Sequence, residues 1–186
     1  MTGNGAKFNP VFVGTVLVGI GANLPDASGR DALGTCRWAA ARLAELPGLR
    51  LAGLSRWFRT RPVPVSDQPD YVNGVAQLSG AVADPVTLLL ALQAIEAAAG
   101  RVRSVPNAAR TLDLDIVAID SLVRRAPDPV VPHPRMHERT FVLAPLCDLM
   151  PGWRHPLLGM TAAELLGRVS PEGGGSAEGA APAALC

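Results

Sequence analysis

Asp113 and Asp115 are separated by one residue within Ala109–Ile119, a run that reads Ala-Arg-Thr-Leu-Asp-Leu-Asp-Ile-Val-Ala-Ile. The run predicts a strand. Side chains alternate faces along a strand, so Thr111, Asp113 and Asp115 share one side and Leu112, Leu114 and Ile116 the other. The two carboxylates then lie about 7 Å apart at their Cα atoms. Like charges that close repel unless a cation neutralises them. Paired hard oxygens suit Mg²⁺, which takes one or two carboxylates and completes its shell with water and phosphate oxygens. Arg101, Arg103, Arg110, Arg135 and Arg139 lie nearby in sequence, with His133 and His137. Metal-binding carboxylates beside guanidiniums are what phosphoryl transfer requires, because its catalysis is mainly positioning and charge neutralisation. The competing explanation is a half-exposed edge strand with two solvated aspartates and ordinary surface arginines. No Walker loop is present, and no Ser–His–Asp or Cys–His arrangement is suggested.

A second group surrounds the segment Thr60 to Asp70, which holds Pro62, Pro64 and Pro69 and cannot form a regular element. It leads into Tyr71 and Asn73 on one face of a strand. An aromatic followed by an amide two residues on can stack a flat heterocycle and read its hydrogen-bonding edge. Plain strand packing is the alternative. Upstream, Gly19-Ile20-Gly21-Ala22-Asn23-Leu24 has two glycines that permit a sharp turn or a close backbone approach. It fails as a dinucleotide fingerprint for want of the third glycine and the acidic residue beyond.

The elements that must position these groups follow from periodicity. Thr15 to Ile20 reads as a buried strand and Asp31 to Leu46 as a helix stopped by Pro47-Gly48. Leu49 to Arg59 and Tyr71 to Ser79 read as strands. Pro85 to Ala99 is a helix with Asp84 as N-cap, Pro85 at the first position and Gly100 as its stop. Gln93 and Glu96 lie one turn apart on it. After the Asp-x-Asp strand come an extended piece to Pro132, a rigid loop at Val131–Met136, a helix from Glu138 to Leu149 expected to kink or break at Pro145, and a last helix from Thr161 to Val169. The order predicts an α+β fold: a ferredoxin-like β-α-β-β-α-β antiparallel sheet with helices on one face, plus C-terminal helical additions. Residues 1–10 read as a flexible leader, 11–169 as a single catalytic domain, and 170–186 as a disordered tail of Gly, Ala, Ser and Pro.

Composition narrows the function classes. A net charge of +1 gives no general electrostatic attraction for nucleic acid or an anionic membrane. Aromatic content is only 4%, so the core is chiefly Leu, Val and Ala. Cys36, Cys147 and Cys186 are widely spaced and odd in number, forming neither a metal motif nor a disulfide framework, which suits a cytoplasmic protein. The apolar run Val11–Gly21 is short and glycine-rich, a buried strand rather than a signal peptide. The same strand–helix order also builds single-stranded RNA-binding modules, but those need several aromatics on the sheet, and this chain has one tyrosine.

These motifs together resemble the 6-hydroxymethyl-7,8-dihydropterin pyrophosphokinase family of folate biosynthesis. The resemblance rests on Gly19–Leu24, Arg59-Thr60, Gln68–Asn73, Gly100–Arg103, Arg110–Ile116, Val131–Pro134 and Glu138–Leu146. It implies transfer of the pyrophosphoryl group of ATP to 6-hydroxymethyl-7,8-dihydropterin, releasing AMP. It implies two Mg²⁺ ions held by Asp113 and Asp115. It places Tyr71 and Phe141 against the faces of the pterin, with Asn73, Thr60 and the backbone near Val63 at its edge. Gln93, Glu96, Arg101, Arg103, Arg110, His133 and Arg139 fall on the nucleotide side, and Arg103 and Arg110 stabilise the transferred charge. A monomer is expected, with a dimer as the alternative. Ser104–Ala109 departs from the family, many members of which carry an Arg-Trp-Gly stretch there and one residue more.

Overall fold

The computed structural model describes residues 12–82, 84–101 and 109–169. The sheet is built from β1 (Phe12–Ala22), β2 (Leu49–Leu54), β3 (Phe58–Thr60), β4 (Tyr71–Val82) and β5 (Asp113–Ile119). Its order is β2-β4-β1-β5, with β3 also paired to β4, and every pairing is antiparallel. Helix α1 (Ala32–Ala44) connects β1 to β2, and α2 (Pro85–Ala98) connects β4 to β5. Helices α3 (Thr140–Leu149) and α4 (Ala162–Arg168) follow β5.

Alternation along β1 divides the molecule into two cores. Val16, Val18 and Ile20 join Cys36, Ala39 and Leu43 of α1 and Leu88, Leu92 and Ile95 of α2. Leu17 points the other way and packs with Leu143 and Leu146 of α3 and Leu165 of α4. Helices therefore cover both faces: α1 and α2 hold to one, and α3 and α4 take the other. The helix ends obey local rules. Asp31 accepts from Gly34 N at 2.7 Å, and Asp84 accepts from Val86 N at 2.8 Å and Thr87 N at 3.0 Å. Thr161 and Glu164 form a capping box on α4.

Several sequence expectations are corrected. The second strand is two pieces, because the Ser55 hydroxyl replaces a backbone group in the ladder and accepts from Val75 N at 2.9 Å. Helix α3 runs through Pro145 without a break, and its bonds on either side persist, from Leu143 N to Arg139 O at 2.9 Å and from Met150 N to Leu146 O at 2.7 Å. The Asp-x-Asp strand starts at Asp113 rather than Ala109. Upstream, Arg110 is held instead by Asn23: its N–H donates to Asn23 Oδ1 at 2.8 Å, and its carbonyl accepts from Asn23 N at 3.1 Å and Leu24 N at 3.2 Å. The expected leader and tail lie outside the described residues.

A shift in register between β1 and β5 sets the site. Leu17 faces Ala118 and Val18 faces Ile116, so Val117 is an extra residue in β5. Val117 and Ala118 consequently both enter the α3 side of the sheet, and Ile119 returns to the α1–α2 core.

Candidate active site

The site is laid out in rows across the sheet. Gly21 of β1 is the register partner of Asn73 on β4 and of Asp113 on β5. One row further, Gly19 pairs with Val75 and Asp115. The two glycines make a floor without side chains between β4 and β5. A Cβ on Gly21 would meet Asn73 Oδ1 at 2.9 Å, so that position tolerates no larger residue without moving the amide. Of the two readings the glycines allowed, a sharp turn or a close approach, the turn is absent: both lie inside β1.

Above this floor is a cavity of about 580 Å³. The proline-rich loop and the strands beside it contribute Thr60, Val63, Tyr71 and Asn73, and α3 contributes Phe141. Arg101, Arg110, Asp113, Asp115, His133 and Arg139 line the same space. An adjoining cavity of about 410 Å³ shares Arg101, both aspartates and His133, and adds Gln93 and Glu96 from α2. The chain thus brings the Tyr71–Asn73 group and the Asp–Arg group to one place. Arg103 lies outside the described residues.

Hydrogen bonds hold the walls. Asn73 Nδ2 donates to Thr60 Oγ1 at 2.7 Å in a buried contact. Asn23, only 3% exposed, donates through Nδ2 to Gln68 Oε1 at 3.3 Å and Pro69 O at 3.1 Å, so it joins the proline-rich loop to Arg110. The Arg139 guanidinium sits 5.5 Å from the centre of the Phe141 ring, a cation–π contact.

β5 is an edge strand, yet its carboxylates are not free in solvent. Asp113 Oδ1 accepts from Arg101 Nη1 at 2.5 Å and Oδ2 from Arg110 Nη1 at 2.6 Å. Arg101 Nη1 also contacts Glu96 Oε1, which accepts from Leu114 N at 2.8 Å. Burial opposes the Arg101 charge, but Asp113 and Glu96 outweigh it and raise its pKa. Asp115 has no ion-pair partner among the described residues. Burial and the neighbouring Asp113 push its carboxyl up to about 6. Burial and then Arg139 push His133 down to about 4, so its ring is neutral at pH 7. His133 Nδ1 accepts from Arg135 N at 3.1 Å, which leaves the proton on Nε2. Burial and Arg135 lower the Arg139 pKa, and burial raises that of Tyr71.

The donor set can be tested against a metal. Among the described residues no group of three His, Cys, Asp or Glu side chains is arranged to hold an ion. An all-protein cage for zinc or calcium does not fit. Two carboxylates, one of them half-buried and without an ion-pair partner among the described residues, fit Mg²⁺ that brings its remaining oxygens from water and phosphate.

Other residues to which the sequence assigned no particular contact, Gly21, Arg61, Pro62, Pro64, Arg135 and Glu138, also face the main cavity. The dense prolines of the loop were the signal for the first group. Glu138 opens a stretch that carries the family resemblance, but it reaches the cavity through the turn at Met136–Glu138.

An α+β sheet carrying paired carboxylates among guanidiniums, beside a pocket with an aromatic and an amide, defines a phosphate-transferring enzyme of a flat acceptor. Residues 17–151 match the model of the family 7,8-dihydro-6-hydroxymethylpterin-pyrophosphokinase (HPPK), and the chain belongs to that family. It is 43% identical over 141 residues to the 2-amino-4-hydroxy-6-hydroxymethyldihydropteridine pyrophosphokinase of Pseudomonas aeruginosa, covering 76% of this chain and 83% of that one. Identity to the protein of the same name from Methylorubrum extorquens is 32% over 156 residues, covering 84% of this chain and 94% of the relative. The fold is similar to that of wild-type Plasmodium falciparum HPPK-DHPS, with a TM-score of 0.64 at 13% identity, covering 84% of this chain and 45% of that one. The chain therefore spans less than half the length of that solved protein.

Proposed function

We propose that this chain transfers the β,γ-pyrophosphoryl group of ATP to 6-hydroxymethyl-7,8-dihydropterin, forming the pterin diphosphate and AMP. The observation that carries this is the row Asn73–Gly21–Asp113, which joins a pocket for a flat heterocycle to the carboxylate–guanidinium cluster across three neighbouring strands. Membership of the pyrophosphokinase family supports it.

In this reading Tyr71 and Phe141 pack on the two faces of the pterin ring. Asn73, held by Thr60, reads its edge together with the backbone near Val63. Asn73 Nδ2 gives one hydrogen to Thr60, which orients the amide and leaves its Oδ1 and second N–H to pair with the ring edge. Gln93 and Glu96 lie toward the nucleotide, with Arg101, Arg103, Arg110, His133 and Arg139 around its phosphates. Asp113 and Asp115 would hold two Mg²⁺ ions, which draw charge from the phosphate oxygens when bound. Arg103 and Arg110 stabilise charge on the transferred group and on the departing AMP. Neutral His133 can donate from Nε2 to an anionic oxygen at pH 7 without carrying a charge of its own. Walls formed by the proline-rich loop exclude water, which would otherwise compete with the pterin hydroxyl for the activated phosphorus.

We read the strand order as ferredoxin-like, and residues 11–169 as one catalytic domain that acts as a monomer. No helix among the described residues is long and apolar enough to cross a membrane. Free thiols at Cys36 and Cys147 suit a cytoplasmic enzyme.

The test is Asp115→Ala, assayed for AMP release with ATP, Mg²⁺ and the pterin. Turnover is expected to fall by about 10²–10³-fold, the scale for removing one electrostatic contact to the transition state. Turnover close to that of the parent enzyme would sink the assignment.

A further inference from the structure

Both oxygens of Asp113 are occupied. Arg101 takes Oδ1 at 2.5 Å and Arg110 takes Oδ2 at 2.6 Å. Asp115, on the same face, has no cation bonded to it among the described residues. The two carboxylates of the candidate metal site are thus unequal: one is open and one is closed by guanidiniums.

The closure has a support behind it. The Nη1 of Arg101 that reaches Asp113 also reaches Glu96. Glu96 is 4% exposed and fixed to the backbone N–H of Leu114 at 2.8 Å. Arg101 therefore stands between two acids. Losing Asp113 leaves its charge compensated by Glu96, so the release costs less than it would for an unsupported buried guanidinium.

The geometry points to Arg101 and Arg110 as a latch on the metal site, with Glu96 as the positioning residue that lets Arg101 let go. The inference rests on the proposed function. A divalent ion arriving alone must displace a guanidinium from Asp113 with nothing to receive it. An ion arriving on a triphosphate brings oxygens that accept the freed guanidiniums bidentately. The exchange is one of ion pairs, carboxylate–guanidinium and phosphate–magnesium for carboxylate–magnesium and phosphate–guanidinium, with no covalent change. The enzyme then loads metal together with nucleotide and not before it. Affinity for metal and affinity for nucleotide are coupled, and the coupling is reciprocal.

The experiment is Mn²⁺ binding to the nucleotide-free enzyme, read as the signal of free Mn²⁺ by electron paramagnetic resonance. Arg101→Gln removes the latch on Oδ1 and is expected to tighten Mn²⁺ binding by at least about tenfold, the scale of one pK unit of lost competition. A purely structural role for Arg101 would loosen the site instead. The double variant Glu96→Gln, Arg101→Gln restores the parent's local net charge. It is expected to keep the tighter binding, because the oxygen of Asp113 stays uncovered. Arg110→Gln, which uncovers the other oxygen, is expected to tighten binding likewise and serves if the double variant does not fold. Parent-like or weaker Mn²⁺ affinity in Arg101→Gln overturns the latch, as does a double variant that returns to the parent value. If Mn²⁺ fails to bind in every variant even with α,β-methylene ATP, the metal reading of the aspartate pair falls with it.

Discussion

The two faces of the sheet are built from the same strands and do opposite things. On the α1–α2 side, Val16, Val18 and Ile20 of β1 and Leu114 and Ile116 of β5 are all buried against helices. On the other side, α3 and α4 cover Leu17, Val75 and Val117, while Gly19, Gly21, Asp113 and Asp115 border cavities. The closed face supplies the packing that fixes strand register. The open face uses that register to hold polar groups that would repel one another or lose solvation if placed by a flexible loop.

The largest effect that would sharpen this contrast is on activity. Asp115→Asn is expected to lower turnover by about 10²–10³-fold. It should also make the metal-free protein more stable above pH 6 by about 1–3 kcal/mol, since the half-buried charge beside Asp113 is gone. Chemical denaturation in a chelator checks the second part. A variant that lost stability as well would show the two faces to be one structural unit.

Next, Leu92→Ala on the closed face is expected to destabilise by about 2–5 kcal/mol. Leu92 is fully buried there. The kcat of the fraction that remains folded should change by less than about tenfold, because Leu92 itself lines neither cavity of the site.

Two glycines on neighbouring strands then separate the faces at finer scale. A Cβ on Gly74 would meet the Trp57 ring at 2.6 Å, so Gly74→Ala is expected to cost about 1–3 kcal/mol by overpacking. Gly21→Ala meets only Asn73 Oδ1 and is expected to raise the KM for the pterin with a stability change under about 1 kcal/mol.

In the parent the smallest net effect is in the pH dependence of stability, because two slopes offset each other. Asp115 titrates at about 6 in the folded protein, above its ordinary 3.8. Its contribution is complete below the lower value and is lost as pH rises through 6. His133 titrates at about 4 against an ordinary 6.5. Its contribution is complete above 6.5 and is lost as pH falls through 4. Between pH 4 and 6 the two slopes oppose. Asp115→Asn should therefore become more stable as pH rises across that window, and His133→Gln less stable, as denaturation midpoints at matched ionic strength will show.

Much of this was legible in the chain. Alternation along Leu112–Ile116 identified which side of β5 carries the acids, and Asp84-Pro85 located the start of α2. The motifs also carried the family. The misreadings share a cause. Ser55 looks like any strand residue, and only its contact with Val75, twenty positions away, interrupts the ladder. At the glycines of β1 a turn and a close approach stayed open together, because their freedom is visible locally, whereas the neighbours that need their smallness are not.

The sequence by itself determined the local terms: which residues repeat at strand or helix spacing, where helices are capped, and that acids and arginines cluster. Those terms depend on neighbours within a few positions. Only the tertiary structure decided that Asn73, Gly21 and Asp113 form one row, that Asn23 grips Arg110 across 87 positions, and that among the described residues Asp113 is paired while Asp115 is not. Such contacts arise from strand register and one extra residue in β5, and no local period encodes which distant segment will close against which.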